Sequence, residues 1–323
     1  MSASSIAQTL LDELLTYRRH VRPAPQYPDD LNAIRAVQLP RLEHFIHRQM
    51  PIELVLPAFP GKSPNPRKVL GTLPDMAERL SLTFLNTLCQ RIKLHYPLGA
   101  HLRICSDGHV FADVIQVTDA CISAYQTAIS GLISDSGLVH LSTFNLGDQP
   151  PPGAAPEDFN ALRQALIERH AEPLEHVRQR LLQNETGVAL YRAMTRFLFE
   201  DSLHPTYRGS RTALQNTARV RALLVIQRSW AWGHLLAERF PQAIRLSIHP
   251  QAPSSLKLGI HLMPTRDEWL TPWHGIAVKF ADDYVLMTRQ QAEQLNAVPV
   301  LIAGRPSHYE TPALGRSAID AVP

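Results

Sequence analysis

Short apolar runs alternating with long stretches of helical spacing constrain this chain more than any other feature. The runs at Ile52–Leu56, Ala100–Cys105 and Leu138–Phe144 read as buried strands. Between them, 73–93 and 118–132 repeat apolar residues at the spacing of one helix face, as at Met76, Leu80, Phe84, Leu85 and Leu88. Strand–helix alternation of this kind predicts a parallel core sheet. The expected class is therefore α/β: a Rossmann-like, mixed but largely parallel sheet flanked by helices.

Two helices precede the first strand, over 6–17 and 30–48, separated by a Pro-rich break at 23–28. Pro40 is expected to kink or split the second helix. The Pro-rich stretch 148–156 can be neither helix nor central strand and marks the main break in the chain. Arg-rich helices follow to about 239, ending in the long segment 212–239. Strands return at 243–248, 256–262, 275–280, 284–288 and 298–302, the later ones antiparallel through a tight turn at Asp282-Asp283. The organisation read from this is N-terminal helices over 1–50, a catalytic α/β domain over 51–305 with a helical insertion at about 157–239, and a poorly ordered tail over 306–323.

Hydrophobic residues make up 45% of 323 and charged residues 19%, the balance of an ordinary globule. A net charge of +3 is too mild to argue for nucleic acid and suits a small anionic substrate. No apolar run approaches the roughly 18 residues needed to span a bilayer, and no secretory leader is evident. Three cysteines, Cys89, Cys105 and Cys121, are too few for a disulfide framework and too far apart for a metal site. A cytoplasmic protein is expected. His44 and His47 stand at i, i+3 without a third ligand nearby, so no metal site is expected there.

Chemistry concentrates where strands end. The first empties into Leu56-Pro-Ala-Phe-Pro-Gly-Lys62-Ser63-Pro-Asn65-Pro-Arg67-Lys68, a loop stiffened by prolines and rich in donors. Donors held in place lose little entropy on gripping an anion. Gly-Lys-Ser invites a P-loop reading, but Leu56 stands where that motif needs its first glycine, so the reading fails. The second strand ends in Cys105-Ser106-Asp107-Gly108-His109, and the strand at 243–248 runs into His249-Pro250-Gln251. Ligands of open α/β sheets collect at this edge. One cleft could hold Lys62, Ser63, Asp107 and His249. The loop at 201–211 offers Arg208 and Arg211 to close on an anion from the other side.

Four blocks together resemble a known family. They are Phe59-Pro-Gly-Lys-Ser-Pro-Asn65 with Lys68-Val-Leu-Gly71 and Leu73-Pro-Asp75; Cys105-Ser-Asp-Gly-His-Val-Phe111; Ile244-Arg-Leu-Ser-Ile-His-Pro250; and Thr271-Pro-Trp-His-Gly275. In order and content they resemble the isocyanide (isonitrile) synthases of the pyoverdine/dityrosine biosynthesis group. Gly61 replaces a bulkier residue frequent in that family, and His109 an arginine. The resemblance implies that the amine of tyrosine or tryptophan becomes an isocyanide, with ribulose 5-phosphate supplying the carbon from its ketone. It implies neither metal nor PLP, and an iron- and 2-oxoglutarate-dependent oxygenase as the next enzyme.

Within that chemistry Lys62, Ser63, Asn65 and Lys68 are expected to cradle the sugar phosphate, with Ser106 beside them. Proton transfer near neutral pH suits His249 and His274, with Asp107 as acid, base or orienting group. Arg208, Arg211 and Arg245 are candidates for the amino-acid carboxylate, and Trp273 for stacking on its ring. Two other readings stay open: a phosphosugar lyase or isomerase without amino-acid chemistry, and a non-catalytic anion-binding module.

Overall fold

The computed structural model describes residues 2–19, 30–148, 150, 152–267 and 269–311. The Pro-rich break at 23–28, parts of the 148–156 break and the last twelve residues of the expected tail lie outside the described residues.

Helix α1 (Ala3–Thr16) starts at Ser2, whose hydroxyl accepts from the Ser5 N–H. Helix α2 (Leu31–His47) is capped by Asp30 and runs as one helix through Pro40, contrary to the expected split. Ile34, Leu42, Phe45 and Ile46 are buried on both sides of that proline, and this burial holds the two halves in one helix. Strand β1 (Ile52–Leu56) leads to α3 (Met76–His95), opened by an Asp75/Glu78 capping box. Then come β2 (Ala100–Ser106), α4 (Gly108–Ile115), α5 (Asp119–Asp135) and β3 (Leu141–Asn145). The Arg-rich region forms α6 (Phe159–His170), α7 (Leu174–Leu182), α8 (Glu185–Ser202) and α9 (Arg211–Arg239). Strands β4 (Ile244–Ser247) and β5 (Lys257–Gly259) complete the first sheet. The chain continues through β6 (Ile276–Phe280), β7 (Asp283–Met287), α10 (Arg289–Gln294), β8 (Val298–Ile302) and β9 (Arg305–Glu310).

The first sheet has the order β3-β2-β1-β4-β5 with every pair parallel. Order reverses at β1, so the crevice between the loops after β1 and β4 is where such sheets bind ligands. One face packs against α1, α2, α3 and α5 through Leu10, Phe45, Leu54, Leu102 and Ile244. The other packs against α4 and α9 through Val55, Cys105, Val110 and Trp232. Residues Tyr17–Arg19 run along β5, with an Arg18–Ile260 bridge and the Arg19 N–H donating to the Gly259 carbonyl at 2.9 Å. The outer edge of the sheet is covered in this way.

The second sheet, β7-β6-β9-β8, is separate and mixed: its hairpins are antiparallel, and β6 and β9 run parallel. Residues 306–310, assigned to the tail from sequence, form β9 instead. His308 and Tyr309 are buried there, and β9 lies between β6 and β8. The polar stretch Arg305–Glu310 carries no strand pattern of its own, and the pairing on both sides makes it a strand. Among the described residues no helix is long and apolar enough to cross a membrane.

Candidate active site

All three polar loops leave carboxyl ends of parallel strands, as the alternation requires. The one after β1 is seated by its neighbours. The Ser63 N–H donates to the Trp273 carbonyl at 2.8 Å, and the Ser106 hydroxyl donates to the Phe59 carbonyl at 2.8 Å. Gly108 makes the second seat possible: a Cβ there would stand 1.8 Å from the Pro60 carbonyl oxygen. Helix α4, unforeseen from sequence, starts at this contact, so Ser106-Asp107-Gly108 is a strand-to-helix junction.

Two of the loop's three cationic side chains, Lys62 and Lys68, are neutralised within the fold, whereas Arg67 is exposed and lines a cavity. The Lys62 ammonium is wholly buried, 2.8 Å from Asp75 and 2.9 Å from Glu78, and donates to the Pro272 carbonyl at 3.1 Å. Burial drives the Glu78 carboxyl up to about 8, against the pull of Lys62. Glu78 also accepts from the Tyr125 hydroxyl at 2.9 Å. Lys62 therefore ties the loop to the start of α3 and to 271–275, in place of the open anion contact expected of it.

Asp201, at the end of α8, is the hub that sequence reading missed. Its carboxylate accepts from the Ser63 hydroxyl at 2.8 Å and from Lys68 at 2.7 Å, and stands 3.4 Å from His274 Nε2. His274 and Lys68 hold the carboxyl well below the usual carboxylate range, overcoming its burial. Lys68 also pairs with Glu200 at 3.2 Å, and Asn65 donates to the Glu200 carbonyl at 2.7 Å. His274 Nδ1 meets the Thr271 hydroxyl at 2.8 Å, so both its ring nitrogens are engaged. Nothing in the sequence around Glu200-Asp201 marks it apart from other acidic pairs on helices.

Asp107 and His249 differ from these saturated groups. They follow β2 and β4, the strands on either side of β1. Asp107 Oδ1 and His249 Nδ1 are both buried without a hydrogen-bond partner. Burial pushes the Asp107 carboxyl up to about 7. Burial, with Arg19, Lys257 and His274 around it, takes the His249 imidazole down to about 3, so it is neutral at physiological pH. Unpartnered buried polar atoms with displaced titration, on the edge where such sheets bind ligands, make these two the candidate reactive groups.

A cavity of about 600 Å³ is walled by Lys68, Phe197, Glu200, Trp269 and Gln291 among others; Asp107 and His249 are not in its lining, and Trp269 and Phe197 connect its wall to His249 and His274. The Phe197 ring centroid is 5.1 Å from that of His274, and the Trp269 centroid 5.1 Å from that of His249. A second cavity of similar size, between α8 and α9, touches none of the candidate residues.

Five further candidates do not line the first cavity. Arg208 is exposed and donates to carbonyls of its own loop, Pro205 and Tyr207, while Arg211 is exposed over the Phe199 ring. Trp273 is 2% exposed and packs on Phe59 in the core, so it has no face for a ligand; Trp269 occupies the cavity wall instead. Arg245 is buried and donates to the Gly233 carbonyl of α9 at 2.9 Å. Ser106 is buried and takes a further hydrogen bond from Gln126, 2.9 Å. His109 stacks on Phe159 with centroids 3.5 Å apart and meets Asp119 at 2.8 Å. Among the described residues no group of three or more His, Cys, Asp and Glu could hold a metal ion.

The sequence model of the family described as Pyoverdine/dityrosine biosynthesis protein matches residues 42–299. This chain belongs to the pyoverdine/dityrosine biosynthesis family. Within the family it is 55% identical to an L-tyrosine isonitrile synthase of Pseudomonas aeruginosa, over 97% of this chain and 96% of the relative. It is likewise 55% identical to an L-tyrosine isonitrile synthase of Xenorhabdus nematophila, over 94% and 91%. An L-tryptophan isonitrile synthase of Fischerella ambigua is 37% identical over 94% of each chain. The crystal structure of the PvcA protein from Pseudomonas aeruginosa superposes with a TM-score of 0.91 at 55% identity, covering 94% of this chain and 99% of that one. The pyoverdine/dityrosine fold thus accounts for both sheets and the helical region between them.

Proposed function

We propose that this protein is an isonitrile synthase that converts the amine of L-tyrosine into an isocyanide, with ribulose 5-phosphate as carbon donor. The observation that carries the reading is the 55% identity to two L-tyrosine isonitrile synthases along nearly the whole chain, against 37% to the tryptophan enzyme. The site supports it chemically. Condensation of an amine with a ketone, then enolisation and loss of the sugar fragments, needs proton carriers that work near neutral pH. Asp107, at about 7, is poised to give or take a proton there. Neutral His249 offers its unpartnered Nδ1 as a second proton-handling group. His274, fixed by Asp201 and Thr271, serves to orient its surroundings. A cavity of about 600 Å³ lies within the range of small-molecule sites.

The cytoplasm is the proposed compartment, and an iron/2-oxoglutarate oxygenase the proposed consumer of the product. The test is incubation of the purified protein with ribulose 5-phosphate and either tyrosine or tryptophan. The expected result is an isocyanide detected by mass and infrared absorption, formed faster from tyrosine. Consumption of ribulose 5-phosphate without any amino acid would overturn the reading in favour of a phosphosugar lyase.

A further inference from the structure

Two cations of the first sheet differ from the two lysines of the anchor loop. Arg245 and Lys257 are register partners on the parallel strands β4 and β5, so their side chains leave the same face. That face looks towards α9, where Arg245 reaches the Gly233 carbonyl. Lys62 and Lys68 each meet two carboxylates. Among the described residues no acid pairs with Arg245 or Lys257, and the Lys257 ammonium makes no hydrogen bond to protein. Arg245 is only 8% exposed, and Lys257 is half-buried. Burial, then the neighbouring guanidinium, pushes Lys257 down to about 8.

Taking a charge out of water costs several kcal/mol unless a partner compensates it. Placing two like charges side by side on adjacent strands adds to that cost. A further unsatisfied group stands close by: His249 follows β4 at the ligand-binding edge, its buried Nδ1 without a partner. Its imidazole feels the charges of Lys257 and Arg19. Arg19 is itself occupied, donating to the Ile248 carbonyl and to the Leu270 carbonyl at 3.2 Å. Among the described residues, Arg245 and Lys257 thus stand near His249 as positive charges with no acid paired to them.

We propose that Lys257, backed by Arg245, receives an anionic group of the substrate, the amino-acid carboxylate or the sugar phosphate, and seats it beside His249. The identity of these ligands rests on the isonitrile synthase reading above. The ammonium supplies mobile donors to the anion, and the guanidinium, held on Gly233, supplies a fixed field. A seated anion also favours the protonated imidazole, so His249 gains basicity only once substrate is present. If the anion is the phosphate, β4 and β5 take the contact expected of the anchor loop; if it is the carboxylate, Lys257 joins Arg245, which the sequence already offers for that group.

Calorimetric binding of four compounds tests it: L-tyrosine, tyramine without the carboxylate, ribulose 5-phosphate, and ribulose without the phosphate. The wild type is expected to favour at least one anionic compound over its counterpart by about thirtyfold or more. K257M should lose that preference and K257R should retain most of it. The pair whose preference disappears identifies the group bound. K257Q repeats the test if K257M does not fold. Preferences unchanged in folded K257M or K257Q, or no preference in the wild type, would overturn the proposal. Because binding is read without turnover, a protein that kept the Lys257-dependent preference but made no isocyanide would retain this inference and lose the functional reading.

Discussion

At the scale of single residues, the division is between groups that are satisfied and groups that are not. Lys62, Lys68, Ser63 and His274 have their partners within the fold. Asp107 has none for Oδ1, and its carboxyl is pushed up to about 7 by burial alone, so its ionised form costs stability. A carboxyl raised in the folded state contributes stability that is present below its ordinary range and lost as pH rises through about 7. Asp107→Asn does not titrate. Its melting temperature is therefore expected to gain on the wild type between about pH 5 and about pH 8, while kcat falls about a hundredfold. Melting curves at several pH values beside steady-state rates check both halves. Parallel melting curves, with kcat unchanged, would mean that Asp107 is neither strained nor catalytic.

At the scale of elements, the loop after β1 is a brace: Lys62 clamps it to α3, and Gly108 lets α4 begin against it. Lys62→Met leaves two buried carboxylates without their cation and should cost about 3–5 kcal/mol. Denaturant unfolding measures that loss. Affinities for both substrates should change little in the fraction that folds; a raised KM at unchanged stability would restore the anion-cradle role. Gly108→Ala forces a methyl into the Pro60 carbonyl and should cost about 3 kcal/mol and slow turnover by shifting Asp107. An unchanged melting temperature would show that the loop gives way freely. Much of this scale was legible in the sequence. The apolar runs at 52–56 and 100–105 and the helical spacing between them located β1, β2 and α3, and parallel pairing followed. The loop stands out in the sequence by its prolines and donors, but the partners of Lys62 do not. Asp75 and Glu78 lie on the next helix, and only the packed chain turns them onto Lys62. Asp201 was hidden for the same reason, lying in a helical region remote in sequence from the strands it serves. Trp273 and Trp269 could not be told apart by residue type; burial decides between them. Helices α4 and α10 and strand β9 are short segments, and tertiary contacts rather than their own patterns make them regular.

At the scale of the whole molecule, a five-stranded parallel sheet whose order reverses at β1 brings segments from residue 57 to 274 to one edge. The helical region 159–239 supplies Asp201 and the Phe197 and Glu200 walls of the cavity, so it belongs to the site as much as the strands do. Anchoring through saturated ion pairs, with reactivity confined to a few unsatisfied groups, is how a site on loops is held to catalytic tolerance. The functional reading places an amine and a sugar ketone in this cleft, with the ketone carbon retained in the product. Ribulose 5-phosphate isotopically labelled at its keto carbon, incubated with L-tyrosine and the wild-type protein, tests that most directly. The label is expected in the isocyanide carbon of the product; an isocyanide without label, or labelled sugar converted with the tyrosine amine untouched, would contradict it.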